Sequence, residues 1–235
     1  MSRLFLVGVG PGDPELLTRK AERILREADV IAAPVTGPGE KSQALGIIRE
    51  FIDEKRQHLL PLLFPMSSDR AALEPHWHEA CRLVAERIAT GRLVAFIALG
   101  DPLFYATSLY LLDGMRRHYP EIPVEVIPGV SSIFAAAAEG IFPLAEGAER
   151  VTILPATAGI DAIRHVLQQN ETVILLKVKA AFDAITDLLA ELPTADLLLA
   201  QKVGMPDQLI LTDRIAITAH KPDYLSLLII RQRRE

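Results

Sequence analysis

Aromatic residues are scarce in this chain, at 6% of 235 residues, and there is one cysteine and one tryptophan. A single cysteine, Cys81, excludes an intramolecular disulfide and any multi-cysteine zinc cage. A basic block is missing as well. Lys+Arg number 25 against Asp+Glu 30, a formal net charge of -5, which argues against a nucleic-acid binder. Long apolar runs are absent: no window approaches the ~18 uncharged apolar residues that a bilayer span needs. The opening MSRLFLVGVGPGD carries one basic residue and a short apolar run ending in turn residues, unlike a signal peptide. A soluble cytoplasmic protein with no membrane partner is expected. What is present is aliphatic: hydrophobic residues make up 50%, mostly Ala, Leu, Ile and Val. That much apolar surface offsets the entropy of ordering and excludes disorder. The length fits one large or two small domains, at about 100–150 residues each.

Strand-like and helix-like runs alternate from end to end. LFLVGVG (4–10) is a short apolar run, and 14–28 places Leu17, Ala21, Ile24, Leu25 and Ala28 at helical spacing. VIAAP (30–34), a helix over 42–53 and HLLPLLF (58–64) follow. Pro61 makes 58–64 an edge strand, because proline cannot donate to a ladder. A helix over 68–90 carries Leu73, Trp77, Cys81, Val84 and Ile88 on one stripe, then comes the fully apolar strand LVAFIAL (93–99). The second half continues with VEVI (124–127), a helix from about 130, VTILP (151–155), a helix near 159–168, TVILLKV (172–178) and a helix near 180–191. ADLLLAQKV (195–203), QLILTD (208–213) and YLSLLIIR (224–231) close the chain as three strands with little helix, so antiparallel members are expected. Alternation of this kind means βαβ units, and continuously apolar strands mean sheets covered on both faces. The expected fold class is α/β, two α/β domains in tandem with a mixed C-terminal sheet. The boundary is placed near RRHYPEIP (116–123), giving domains 1–118 and 119–235.

Three strand-to-helix corners stand out. Gly8-Val9-Gly10-Pro11-Gly12-Asp13-Pro14 starts like the dinucleotide fingerprint GxGxxG but has Asp13 where the third glycine belongs. A dinucleotide site leaves its helix N-terminus open to a pyrophosphate. Here Asp13 is a strong N-cap and Pro14 suits the first helical position, so a carboxylate already fills the anion slot. A nicotinamide oxidoreductase is disfavoured on that ground. Gly100-Asp101-Pro102 repeats the tripeptide after the strand LVAFIAL, and Pro128-Gly129-Val130-Ser131-Ser132 follows VEVI with two hydroxyls. Singly, each corner reads more simply as a capped turn. Together they offer glycine backbone, a carboxylate and small hydroxyls at the carboxyl ends of strands, where open α/β sheets bind ligands. That suits a ligand with ribose hydroxyls and a positive charge, and no phosphate.

In this order the corners resemble the tetrapyrrole (corrin/porphyrin) methylase family, through GVGPGD (8–13), ALGDPLFYATSLYLL (98–112) and VIPGVSSIFAAAA (126–138). The resemblance covers nearly the whole chain. FPMSSD (64–69), LKVK (176–179), QKVGMPDQLI (201–210) and DYLSLLIIR (223–231) look most like the C(20)-methylating branch. Ala106 departs from it, where a serine is expected. The resemblance implies methyl transfer from S-adenosylmethionine, bound in a cleft between two α/β domains, to the C-20 meso carbon of precorrin-2 or its cobalt-bearing counterpart in cobalamin synthesis. It assigns Pro11, Gly100, Asp101, Phe104, Tyr105, Ser131, Ser132, Lys177 and Val203 to the cofactor. Asp101 and Tyr224, at the opening of the last strand, are the candidates for assisting proton loss. A homodimer is implied. The alternatives are methylation at another tetrapyrrole position, or a protein that binds S-adenosylmethionine without turnover.

The substrate so implied is fringed with carboxylates, so an acidic protein must gather positive charge locally. Arg70, Lys177, Lys179 and Lys202 are placed where they can supply it, and Arg231, Arg233 and Arg234 read as a solvated tail. His76-Trp77-His78 suggests a metal, but a helical ligand pair needs i, i+4 spacing, so no metal site is expected. Cys81 reads as a buried, inert thiol, and its stripe as a face available to a partner subunit.

Overall fold

The structure, a computed structural model, describes residues 2–67 and 69–232. Arg233 and Arg234 of the expected tail, and Ser68 of FPMSSD, lie outside the described residues. The chain divides into two compact units, Met1–Ser131 and Ser132–Glu235.

The first unit runs β1 (Arg3–Gly8), α1 (Arg19–Glu27), β2 (Val30–Val35), α2 (Gln43–Ile48), β3 (His58–Leu63), α3 (Arg70–Ala89), β4 (Leu93–Ala98), α4 (Ser108–His118) and β5 (Val124–Ile127). Its sheet has the order β3-β2-β4-β1-β5, and every pairing is parallel. Proline-bearing β3 is the edge strand, as its missing N–H requires. Leu4, Leu6, Val94 and Phe96 point into a core formed with α3 and α4. Phe5, Val7, Ala95 and Ile97, one residue along, point into the opposite core under α1 and α2. Coverage on both faces is why these strands are continuously apolar.

The second unit runs α5 (Ser132–Glu139), β6 (Val151–Pro155), α6 (Ile160–Gln169), β7 (Thr172–Leu176), α7 (Phe182–Ala190), β8 (Asp196–Gln201), β9 (Leu209–Leu211), α8 (Arg214–Ala219) and β10 (Ser226–Arg231). Its sheet has the order β6-β7-β10-β8-β9. Only β6–β7 is parallel, and β10 lies antiparallel between β7 and β8, so the sheet is mixed. Arg214 donates to the carbonyls of Leu189, Leu192 and Ala195 at 3.0, 2.8 and 2.9 Å, closing the end of α7.

Several expectations change. β5 pairs with β1, so the first unit extends past 116–123 to Ser131; within RRHYPEIP, Arg116, Arg117 and His118 end α4 and 119–123 form the turn into β5. The helix expected over 14–28 is broken. Asp13 caps a 3-10 turn over Pro14–Leu16, and Thr18 caps α1 anew through Ala21 N at 3.1 Å. Helix α8 appears within the strand-rich tail. Arg231 is not a solvated residue: its guanidinium forks onto both oxygens of Glu149 at 3.0 and 2.8 Å. Cys81, Val84 and Ile88 of the α3 stripe are buried in the core of their own unit, so that stripe is not a free face.

Candidate active site

Sheet order brings the three glycine corners together. β1 lies between β4 and β5, so the loops leaving these strands emerge side by side at one sheet end. Close packing requires their glycines. A Cβ on Gly8 would lie 2.6 Å from Gly129 N and 2.7 Å from Gly100 O. One on Gly129 would lie 2.2 Å from Gly100 O. Gly10 and Gly100 have φ of +76° and +70° and form a bridge, with Gly100 N donating to Gly10 O at 2.8 Å. Gly100 differs from the other two, since a Cβ there would meet only Val130 O, at 4.0 Å. Its missing side chain therefore leaves open space over the backbone, which suits close approach by a ligand.

Asp101 binds this cluster together. Its Oδ1 accepts from Leu103 N at 2.9 Å and its Oδ2 from Gly129 N at 3.1 Å, clipping the β4 corner to the β5 corner. An ionised carboxylate has about four lone-pair sites, so both oxygens can still accept from a ligand. Asp13 Oδ1 accepts from Glu15 N at 2.8 Å and occupies its own helix start, which leaves no phosphate slot there. Pro11 is buried beside Gly10. Pro102 does not begin a helix as the tripeptide suggests. It opens a turn that lasts until α4 starts at Ser108, and the buried Ser108 hydroxyl donates back to Pro102 O. Within that turn Phe104 and Tyr105 meet edge to face at 4.9 Å, and Tyr105 has φ of 52°. Ser131 and Ser132 stand half-buried at the start of α5.

In the second unit, Lys177 ends β7 with φ of 57°. Val203 follows β8 and is buried, while Tyr224 precedes β10 by two residues and is 48% exposed. Lys202 Nζ lies 2.6 Å from Asp207 Oδ2 and 3.1 Å from Asp223 Oδ2, and Lys179 is 3.8 Å from Asp223. These hydrogen bonds raise the Lys202 pKa. The Tyr224 N–H and then Lys202 lower that of Asp223. Two of the three lysines expected to greet substrate carboxylates, Lys179 and Lys202, thus already face carboxylates of their own unit. Arg70 stands at the start of α3, 5.9 Å over the Trp77 ring.

Among the described residues, four non-glycine residues have left-handed backbone: Tyr105, Ile141, Lys177 and Lys202. Two of them are site residues expected from sequence, and Lys202 immediately precedes a third, Val203. Backbone strain gathers at functional positions, yet no local sequence pattern announces a left-handed lysine.

Within HWH, Trp77 and His78 each meet another ring. Trp77 stacks on Tyr110 at 4.2 Å with planes 6° apart, and His78 meets His118 edge-on at 5.0 Å. Among the described residues no group of three or more His, Cys, Asp or Glu is arranged to hold a metal ion. Burial, then the nearby Asp113 charge, pushes the Cys81 thiol up to about 11, which disfavours the reactive thiolate.

The family model of the tetrapyrrole (corrin/porphyrin) methylases matches residues 3–217. A cobalt-precorrin-2 C(20)-methyltransferase of Salmonella typhimurium is 35% identical over 189 residues, 80% of this chain and 78% of that protein. A precorrin-2 C(20)-methyltransferase of a Sinorhizobium species is 32% identical over 190 residues, 76% of this chain and 74% of that one. In fold, the chain is similar to a uroporphyrin-III C-methyltransferase of Thermus thermophilus complexed with S-adenosylhomocysteine. The TM-score is 0.66 at 22% identity, over 98% of each chain. With its three corners assembled at one sheet end and its sequence matched almost throughout, the chain belongs to the tetrapyrrole (corrin/porphyrin) methylase family.

Proposed function

We propose that this protein transfers the methyl group of S-adenosylmethionine to the C-20 meso carbon of precorrin-2, or of its cobalt-bearing counterpart, in cobalamin biosynthesis. The observation that carries this reading is identity over about three-quarters of the chain to relatives named for that position, with and without cobalt. The corner geometry supports it. Glycine backbone at Gly100 admits close approach and Asp101 retains acceptor sites, and Ser131 is assigned to the cofactor with them. Pro11, Phe104, Tyr105, Ser132, Lys177 and Val203 are assigned to the cofactor on the same reading.

The sulfonium supplies an electrophilic methyl carbon. Bond formation from C-20 to that carbon breaks the carbon–sulfur bond, whose electron pair stays on sulfur. A proton then leaves C-20. Substrate electron density provides the nucleophile, so the protein's contribution is positioning and exclusion of water. Asp101 and Tyr224 are the groups assigned to assist the departing proton.

The finer setting is also part of the proposal: a cytoplasmic enzyme acting as a homodimer. Among the described residues no helix is long and apolar enough to cross a membrane. Leu103, Leu109 and Tyr110 are exposed within one short stretch, an apolar surface that a second copy would cover. The test is incubation with S-adenosylmethionine and precorrin-2, with and without cobalt, followed by mass spectrometry. Gain of one methyl per tetrapyrrole is expected. Cofactor binding with no methylated product overturns the reading in favour of a non-catalytic binder.

A further inference from the structure

The polar cluster at the carboxyl end of β8 is organised around one ammonium. Lys202 draws a carboxylate from each of two separate segments: Asp207 from the turn after β8, and Asp223 from the segment that leads into β10. Its side chain is 26% exposed, against 63% and 43% for the two carboxylates it meets. Its own backbone is left-handed, with φ of 49°, and its N–H donates to Leu225 O at 2.9 Å. A lysine persists in that conformation only where its surroundings over-determine it.

The partners are themselves tied in. Asp223 Oδ1 accepts from Tyr224 N at 2.7 Å, and Asp223 N donates to Gln201 Oε1 at 2.8 Å. On the other side, Gly204 N donates to Gln208 Oε1 at 2.6 Å, and Gln208 Nε2 donates to Glu139 Oε2 at 2.9 Å. Val203, buried, and Tyr224, half exposed, are the immediate neighbours of the two bridged residues. An exposed isolated ion pair contributes little. One cation holding two carboxylates on different segments fixes their relative placement, and removing it leaves those carboxylates facing each other.

We propose that Lys202 is a positioning residue: by bridging Asp207 and Asp223 it sets Tyr224 against the Val203 turn, rather than binding substrate carboxylates. This rests on the methyl-transfer reading and on Tyr224 acting in it. Lys202→Met keeps the aliphatic stem and removes the charge. Single-turnover methyl transfer, at saturating S-adenosylmethionine and tetrapyrrole, should slow about tenfold, short of the hundredfold that a full ångström of misplacement costs. Asp223→Asn should slow it similarly. The double variant should be no slower than the worse single, because both break one link. Lys202→Arg should restore the rate to within about twofold, since a guanidinium can meet both carboxylates.

Circular dichroism and the melting temperature of each variant separate misfolding from misplacement. Should Lys202→Met not fold, a folded Asp223→Asn decides alone. A wild-type rate in either folded variant overturns the inference, as does full additivity in the double. A raised tetrapyrrole KM with unchanged single-turnover rate overturns it too, in favour of a substrate-binding lysine. These outcomes require a wild type that makes methylated product. A wild type that makes none instead sinks the methyl-transfer reading, and this inference with it.

Discussion

Gly129→Ala is the sharpest test of how the three corners are assembled. The added methyl would sit 2.2 Å from Gly100 O and within 2.8 Å of the Gly8 backbone. Ordinary contact begins near 3.4 Å, so the β5 corner must move by about an ångström relative to β4 and β1. The obstacle is backbone on both sides, so no side chain can rotate away. Overpacking of this kind costs about 1–3 kcal/mol. At ~2–4 °C per kcal/mol for a chain this size, the melting temperature should fall by roughly 2–12 °C. The same shift breaks the 3.1 Å bond from Gly129 N to Asp101, and misplacement by an ångström lowers methyl-transfer efficiency by about a hundredfold. The matched control is Gly46→Ala in α2, where nothing lies within 4 Å of the added methyl. There the change should stabilise by about 0.5–1 kcal/mol through helix propensity. Differential scanning fluorimetry and calorimetric titration with S-adenosylhomocysteine measure both effects. Wild-type melting and wild-type affinity in Gly129→Ala would refute the close packing on which the site description depends.

Gly114→Ala would place a methyl 2.5 Å from Cys81 Sγ where α3 crosses α4. It should destabilise by about 1–3 kcal/mol, and adding Cys81→Ala should recover much of the loss; additive melting shifts would contradict that contact. With its pKa raised to about 11, Cys81 should resist iodoacetamide at neutral pH in the native protein and react once unfolded, as labelled-peptide mass spectrometry would show. Asp207 and Asp223 are held below the usual aspartate value of 3.8, Asp207 chiefly by Lys202 and Asp223 by the Tyr224 N–H and Lys202. A depressed folded-state value contributes stability above the unfolded pKa that is lost as pH falls through the folded one. The wild-type melting temperature should therefore drop on acidification below about pH 4, and less steeply in Lys202→Met. A parallel decline in both proteins would contradict the bridging role.

The sheet-forming strands are legible in the sequence for a physical reason. Leu4 and Phe5, or Phe96 and Ile97, face opposite cores, and an apolar residue at every position is the local mark of that double burial. The corners were legible too, because each local departure from GxGxxG carries its own chemistry, as Asp13 does at its N-cap. What escaped was non-local. The proline-bearing stretch before β5 resembles a linker, and only ladder pairing with β1 assigns β5 to the first sheet. Gly8 and Gly129 constrain each other across more than a hundred residues of chain. Arg231 sits in an arginine-rich terminus, and its burial comes from Glu149, supplied by a distant loop. Lys202 reads as free positive charge because Asp223 lies beyond β9 and α8 in sequence and beside it in space.

At -5 overall, with Lys179 and Lys202 engaged by aspartates, this acidic chain keeps little of its expected lysine charge for an anionic substrate.

The most direct test of the account is the position of the transferred carbon. Methyl-labelled S-adenosylmethionine is turned over with precorrin-2 and with its cobalt complex, and the product is examined by carbon NMR with the meso carbons labelled. The account predicts one new methyl resonance coupled to C-20. A methyl resonance coupled to another meso carbon, or to none of them, would contradict it.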